Sequence, residues 1–204
     1  MRLPGVIVLA VLLAGPAAAQ SDPASTRWSF ALGAGALHFS AVARDTLAAP
    51  GAAARLRPSG RLGVHLALAR RLGPWEAAVE IGWARGHAEA GNTAVSIHDK
   101  SADLSRYRVV PSLSRRLAGM GPAEATLALG ATMDLWTVED ATRARMGGEI
   151  RLAFRVPLGA TVAVENSAAV GWSSSPVVRE DLDDGFALNG LRTLTFGTGV
   201  RIRF

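Results

Sequence analysis

The sequence predicts an all-β fold, eight antiparallel strands wound up and down into a transmembrane barrel with short turns at one end and longer loops at the other. Three observations predict it. Apolar residues recur with period two in eight segments, each ten residues or longer, which is the signature of strands with two different faces. Short and long connections separate these segments in turn, and large aromatics gather at the ends of the apolar face.

The elements follow in order. Segment 27–37 sets Trp28, Phe30, Leu32, Ala34 and Ala36 against Ser29, Ala31, Gly33 and Gly35. Segment 60–70 sets Leu62, Val64, Leu66 and Leu68 against Arg61, Gly63 and His65, and 75–85 sets Trp75, Val79, Ile81 and Trp83 against Glu76, Glu80 and Gly82. Segment 105–114 carries Tyr107, Val109 and Leu113 opposite Arg106, Arg108 and Ser112. In 123–136, Leu127, Leu129, Met133 and Leu135 oppose Glu124, Thr126, Gly130 and Asp134. In 144–156, Met146, Ile150, Leu152 and Phe154 oppose Arg145, Glu149, Arg151 and Arg155. Segment 160–172 gives Val162, Val164, Val170 and Trp172 against Glu165 and Ser167. The last, 192–204, gives Leu194, Phe196, Val200, Ile202 and Phe204 against Gly197, Gly199, Arg201 and Arg203. A tilted strand needs nine to eleven residues to cross a hydrocarbon layer, and these lengths suffice. Connections 71–74, 117–122 and 157–159 are short and use Gly and Pro; 40–58, 86–104 and 173–187 are long, with 137–142 between the two classes.

Alternation does not say which face points inward. The polar face is rich in Gly, Ala, Ser and Thr, which suit the crowded lumen of an eight-stranded barrel better than a water-exposed surface. Trp28, Trp75 and Phe204 fall at the short-turn end of the apolar face, and Trp83, Tyr107 and Trp172 at the long-loop end. Those are two interfacial girdles, so the apolar face is expected to meet lipid. Three residues strain the pattern. Pro111 falls mid-strand without an N–H for the ladder, which predicts a bulge near 110–111 or a later strand start. Asn166 falls on the lipid face or else marks a register shift, and Trp136 counts as inward, which suggests a bulge or strand end nearby.

Residues 1–19 read as a cleaved secretory signal: Arg2, an apolar run from Val6 to Ala14, then Ala17, Ala18 and Ala19 ahead of Gln20. The barrel is expected over 20–204. There is no cysteine, which excludes a lipid anchor at the cleavage site and a disulfide scaffold. The formal charge of +5 falls by one with the signal, and Lys100 is the only lysine. A secreted chain seldom meets nucleic acid, so none is expected as partner; phosphates of lipopolysaccharide and the chain's own acids suit the arginines better.

With the signal, the eight strands, the loop asymmetry and the closing Val200-Arg201-Ile202-Arg203-Phe204, the chain resembles the small bacterial outer-membrane barrels of the OmpA/OmpX kind. The resemblance covers the mature chain. It implies a bacterial outer-membrane location, periplasmic termini, a monomer surrounded by membrane lipid, and a C-terminal strand ending in Phe204 that the outer-membrane assembly machinery reads. No peptidoglycan-binding domain follows the barrel in the sequence.

The polar face carries six acids, Glu76, Glu80, Glu124, Asp134, Glu149 and Glu165. It also carries His65 and eight arginines: Arg61, Arg106, Arg108, Arg145, Arg151, Arg155, Arg201 and Arg203. In a narrow low-dielectric lumen these must pair, and a salt-bridge network filling the barrel is expected; a gated pore is the alternative. For catalysis, His38 and Ser40 form a His-x-Ser spacing that resembles the pair near the outer rim of lipid A deacylase barrels, where a Glu completes a triad. Here the pair opens the first loop rather than lying on a late strand, and no Glu is assigned to it. Asp181, Asp183 and Asp184 follow Glu180 in an acidic run whose oxygens suit calcium, though without the alternating ligand spacing of a calcium loop. His87 and His98 share a long loop without a matching ligand set, and no cofactor motif is present. The sequence favours a non-enzymatic outer-membrane protein acting through its surface loops. A lipid A-modifying enzyme and a narrow gated channel are the alternatives.

Overall fold

The computed structural model describes residues 28–48, 52–60, 62–92, 96–138, 141–182 and 184–204. The strands are β1 (Trp28–Phe39), β2 (Ala43–Asp45), β3 (Arg55–Ser59), β4 (Leu62–Leu72), β5 (Trp75–Gly91), β6 (Ser96–Met120), β7 (Ala123–Val138), β8 (Ala141–Pro157), β9 (Val162–Ser173), β10 (Phe186–Leu188) and β11 (Leu191–Arg203). Eight of them, β1, β4 to β9 and β11, form a closed antiparallel barrel. Closure comes from β1 against β11, in register from Ser29↔Arg203 to Phe39↔Thr193. At the bottom of that seam Trp28 and Phe204 exchange backbone bonds at 3.2 and 3.0 Å. No backbone edge then faces lipid along the seam, which the hydrocarbon requires.

The barrel is inside-out relative to a soluble one. Leu32, Ile81 and Leu129 are 55, 57 and 60% exposed, whereas Arg106 and Asp134 are 4 and 0% exposed. An apolar surface of that extent around a whole barrel belongs in a membrane. Trp75 to Trp83 on β5 is eight residue steps, roughly 26 Å along the strand at ~3.3 Å per step. Trp28, Trp75 and Trp172 lie at or next to strand ends on the outward face, whereas Trp83 and Tyr107 lie within β5 and β6, which run on past them. Trp83 and Tyr107 are direct cross-strand partners, and Trp172 lies over Gly148, where a Cβ would come within 2.7 Å of its ring. Glycine at 148 is thus what lets the indole lie flat on the barrel wall.

Two periplasmic turns are tighter than expected. Gly73-Pro74 and Gly121-Pro122 each join strands through two residues, with Gly at φ +65° and +62°, a region that costs other residues strain. The 117–122 connection is therefore mostly strand, with a register shift between Arg116 and Ala118. At Pro111 the bulge and late start expected from the sequence do not occur. β6 begins at Ser96, Pro111 pairs with Val79, and the register to β7 is the same on both sides of the residue, from Val109↔Met133 to Ser112↔Gly130. Only the two rungs at Val110 and Pro111 are missing from that ladder, so the lost N–H is absorbed locally. Trp136 does point inward, and the strand end expected nearby falls two residues on at Val138, with β7 and β8 in register through Val138↔Ala141 and no bulge.

The outer end departs most from expectation. The 86–104 stretch is not a loop: β5 and β6 run on as a hairpin past the girdle, with a register shift between His87 and Ala88. The first and last long loops also make strands, because β2 pairs with both β3 and β10. A five-stranded sheet, β10-β2-β3-β5-β6, therefore stands on the barrel.

Asn166 sits on the lipid face between Phe154 and Thr198, and its side chain makes no hydrogen bond among the described residues. Replacing Asn166 with Leu is expected to stabilise the barrel by about 1–3 kcal/mol, the cost of an unpaired amide in apolar surroundings. Urea unfolding from lipid vesicles measures this, and a lowered midpoint would mean that the amide has a partner.

The charged lumen and its outer cap as the candidate functional site

Inward positions of neighbouring strands alternate in charge because each inward residue sees its ladder partners and the opposite wall. The result is two stacked networks. In the lower one Arg155 is the hub. Its guanidinium holds Glu76 at 2.7 and 3.0 Å, Glu165 at 2.5 Å and Glu124 at 3.4 Å. Arg201 bonds Glu165 at 2.9 Å and the Ser29 hydroxyl at 2.8 Å. Arg203 and Arg116 stand 3.6 and 3.8 Å from Glu124 at the periplasmic mouth. In the upper network Arg151 forks onto Glu80 and also reaches Glu149. Arg108 joins Glu149 at 2.7 Å to Asp134 at 3.4 Å, and Arg106 bonds Asp134 at 2.7 Å.

The upper network sets three guanidiniums against three carboxylates, so it is neutral as a unit. That neutrality is what makes burial tolerable, since an uncompensated ion in this interior would cost several kcal/mol. The lumen keeps a void of about 40 Å³ between the charged layers and one of about 50 Å³ beside the upper layer, room for a few waters each. His65 borders both, its ring lying where Gly33 lacks a side chain.

The outer end is closed by apolar packing. Phe39, Val42, Trp136 and Leu191 form a buried cluster, with Leu37, Leu56 and Val177 against it. The Phe39 and Trp136 rings meet edge-on with centroids 5.7 Å apart. The Arg106 guanidinium is 5.6 Å from the first ring centroid and 5.3 Å from the second, so the plug and the charged network meet in one side chain. The inward count of Trp136 is legible in the sequence but this plug is not, because Val42 in the first connection and Leu191 at the start of β11 are distant in the chain.

The predicted site residues divide clearly. Of the expected network, Glu76, Glu80, Arg106, Arg108, Glu124, Asp134, Glu149, Arg151, Arg155, Glu165, Arg201 and Arg203 come together. Arg145 does not: its Nε donates to the Ser175 carbonyl at 2.5 Å, so it anchors the last loop instead of pairing an acid. The sequence offered no sign of this, since inward parity alone made it a lumen residue. Arg61 lies outside the described residues. Missed altogether were Arg116 and Arg143, the latter bonding Asp181 through both terminal nitrogens.

His38 faces outward at the rim and lines a cleft of about 850 Å³ between the end of β1 and β3. Ser40 is not joined to it: the Ser40 hydroxyl accepts the Arg192 amide N–H at 2.9 Å. Nor does a carboxylate bond either residue among the described residues, so the three-part geometry of a triad does not assemble here. In the acidic run, Asp181 is committed to Arg143 and to the Val178 amide at 3.0 Å, while Asp184 stands exposed 3.6 Å from Arg179. Asp183 and the side chain of His98 lie outside the described residues.

Two outcomes are expected from this geometry. Arg155→Gln leaves Glu76 and Glu165 with one guanidinium between them, and should destabilise the barrel by about 3–5 kcal/mol in vesicle unfolding; an effect below about 1 kcal/mol would contradict the hub assignment. Hydrogen bonding from Arg143 holds the Asp181 carboxyl below the usual carboxylate range. A depressed folded pKa means stabilisation that is complete above the unfolded value of ~3.9 and lost as pH falls through the folded one. Hydrogen-exchange protection of 176–182, corrected for intrinsic rates, should therefore drop in strongly acid solution, and Arg143→Gln should remove that dependence. Protection unchanged by acid in the parent would refute it.

No protein-family model matches the chain, and no curated protein matches it by sequence. Solved structures do. The crystal structure of Neisserial surface protein A superposes with a TM-score of 0.59 at 14% identity, covering 87% of this chain and 97% of that one. The outer membrane protein OprG from Pseudomonas aeruginosa superposes with a TM-score of 0.57 at 10% identity, covering 88% of this chain and 96% of that one. Identities this low speak to fold alone, and the fold they share is the one built above from its charges, girdles and closed ladder: the chain has the fold of the small eight-stranded outer-membrane β-barrels.

Proposed function

We propose that the protein is a non-enzymatic outer-membrane barrel, delivered by its N-terminal signal, that presents a structured extracellular sheet to surface partners such as lipopolysaccharide. The observation that carries this reading is the contrast between the two parts of the molecule. The lumen is filled by ion pairs, a neutral upper layer and a lower layer centred on Arg155, and the Phe39–Trp136 plug packs over them at the outer end. The strands meanwhile continue past the outer girdle into the sheet β10-β2-β3-β5-β6. Arg143 and Arg145 tie the last loop to β8, which restricts its freedom. An ordered surface loses less entropy on binding than free loops do.

Cells producing the full chain are compared with cells in which Arg85 is joined to Ser105 through an Asn-Gly turn, shortening the hairpin to the rim. Surface attachment should fall severalfold, with heat-modifiable mobility retained and lipid A mass spectra unchanged in both. Equal attachment would overturn the surface reading. A lipid A change made by the full chain and lost in His38→Ala would establish the enzymatic alternative instead.

A further inference from the structure

Two arginines stand apart from the rest. Arg70 on β4 and Arg115 on β6 point outward at the periplasmic girdle, and neither makes an ion pair among the described residues. Each is instead laid against a tryptophan that is its cross-strand partner. The Arg70 guanidinium lies 5.4 Å from the Trp28 ring centroid, and Arg115 lies 5.5 Å from that of Trp75. Ala77 on β5 is the ladder partner of Arg70 and lies on the same outward face as Trp75, which places the two Arg–Trp pairs on neighbouring strands. At the outer girdle no arginine lies over Trp83, Tyr107 or Trp172 among the described residues.

We propose that Arg70 and Arg115, held by Trp28 and Trp75, form a binding site for the phosphodiester headgroup of an anionic glycerophospholipid in the periplasmic leaflet. The girdle height is where lipid phosphates lie, and a guanidinium offers phosphate a fork of donors. A tryptophan face orients that fork without neutralising it, as a carboxylate would. The arginines of the lumen mouth, Arg71 and Arg116, border the periplasmic opening of the barrel instead.

The test uses the mature barrel refolded into vesicles, in a Trp83→Phe/Trp172→Phe background so that lipid-exposed emission comes from Trp28 and Trp75. Quenching by brominated phosphatidylglycerol is compared with quenching by brominated phosphatidylcholine, each diluted in unlabelled phosphatidylcholine. A guanidinium near the surface adds up to about fivefold to association with anionic lipid. The two together should therefore favour phosphatidylglycerol by roughly five- to twentyfold, and Arg70→Gln/Arg115→Gln should bring the ratio close to one. Arg71→Gln/Arg116→Gln, with the same change of charge, should keep the preference. Heat-modifiable mobility confirms that each variant is folded. Equal quenching by the two lipids in the parent, or equal loss in both double variants, would overturn the site, the latter by showing only a diffuse attraction of the rim.

Discussion

A backbone amide or carbonyl that meets hydrocarbon without a partner is the constraint on which this structure depends. Each such group costs several kcal/mol, so a sheet in a membrane has to close. Here closure falls on the seam between β1 and β11, where eleven rungs run from Ser29↔Arg203 to Phe39↔Thr193. Gly33, Gly35, Gly197 and Gly199 concentrate at this seam, and a Cβ on Gly35 or Gly199 would come within 2.8 or 2.6 Å of a carbonyl oxygen of the partner strand. The same closure tolerates Pro111, because losing two rungs on one side leaves the register intact.

Closing eight strands leaves a lumen too narrow for bulk water, and the second constraint follows from it. Charges placed inside must be balanced where they stand. The upper network balances three against three, and Arg155 shares itself among three carboxylates below. Such pairs do not by themselves stabilise a fold relative to apolar packing. What they do here is fill a small bore with side chains whose partners lie on other strands. Arg151 to Glu80 and Arg155 to Glu76 each span the bore between β8 and β5, bracing opposite walls.

Above the girdle the rules change, because water satisfies backbone groups and closure is no longer compulsory. The strands splay, and the first and last long connections pair with one another as β2 and β10. Val42 and Leu191 are drawn into the plug as a consequence, and Arg106 spans its aromatic rings and the charged network. The outer sheet is thus continuous with the lumen packing, so a change at Trp136 would be felt at the surface. The periplasmic rim is simpler, with tight Gly-Pro turns and two Arg–Trp pairs facing the lipid.

The eight strands of the barrel, the identity of the two faces and most of the lumen charges are legible in the sequence. They are properties of a single strand: side chains at i and i+2 share a face whatever the strand pairs with, and the sign of that face is written in residue size and charge. Even Asn166 and Trp136 lie on the faces their parity assigns. Partners were not legible. Whether Arg145 meets an acid or the Ser175 carbonyl, whether Ser40 bonds His38 or the Arg192 amide, and whether Arg70 finds a carboxylate or the Trp28 ring depend on residues 30, 152 and 42 positions away. The outer strands escape prediction for a related reason, since β2, β3 and β10 are short and gain their pairing only when the closed barrel brings distant connections together. Which way each strand faces is local geometry and can be read from the residues alone. Who pairs with whom emerges only in the closed barrel, because closure and register set those distances.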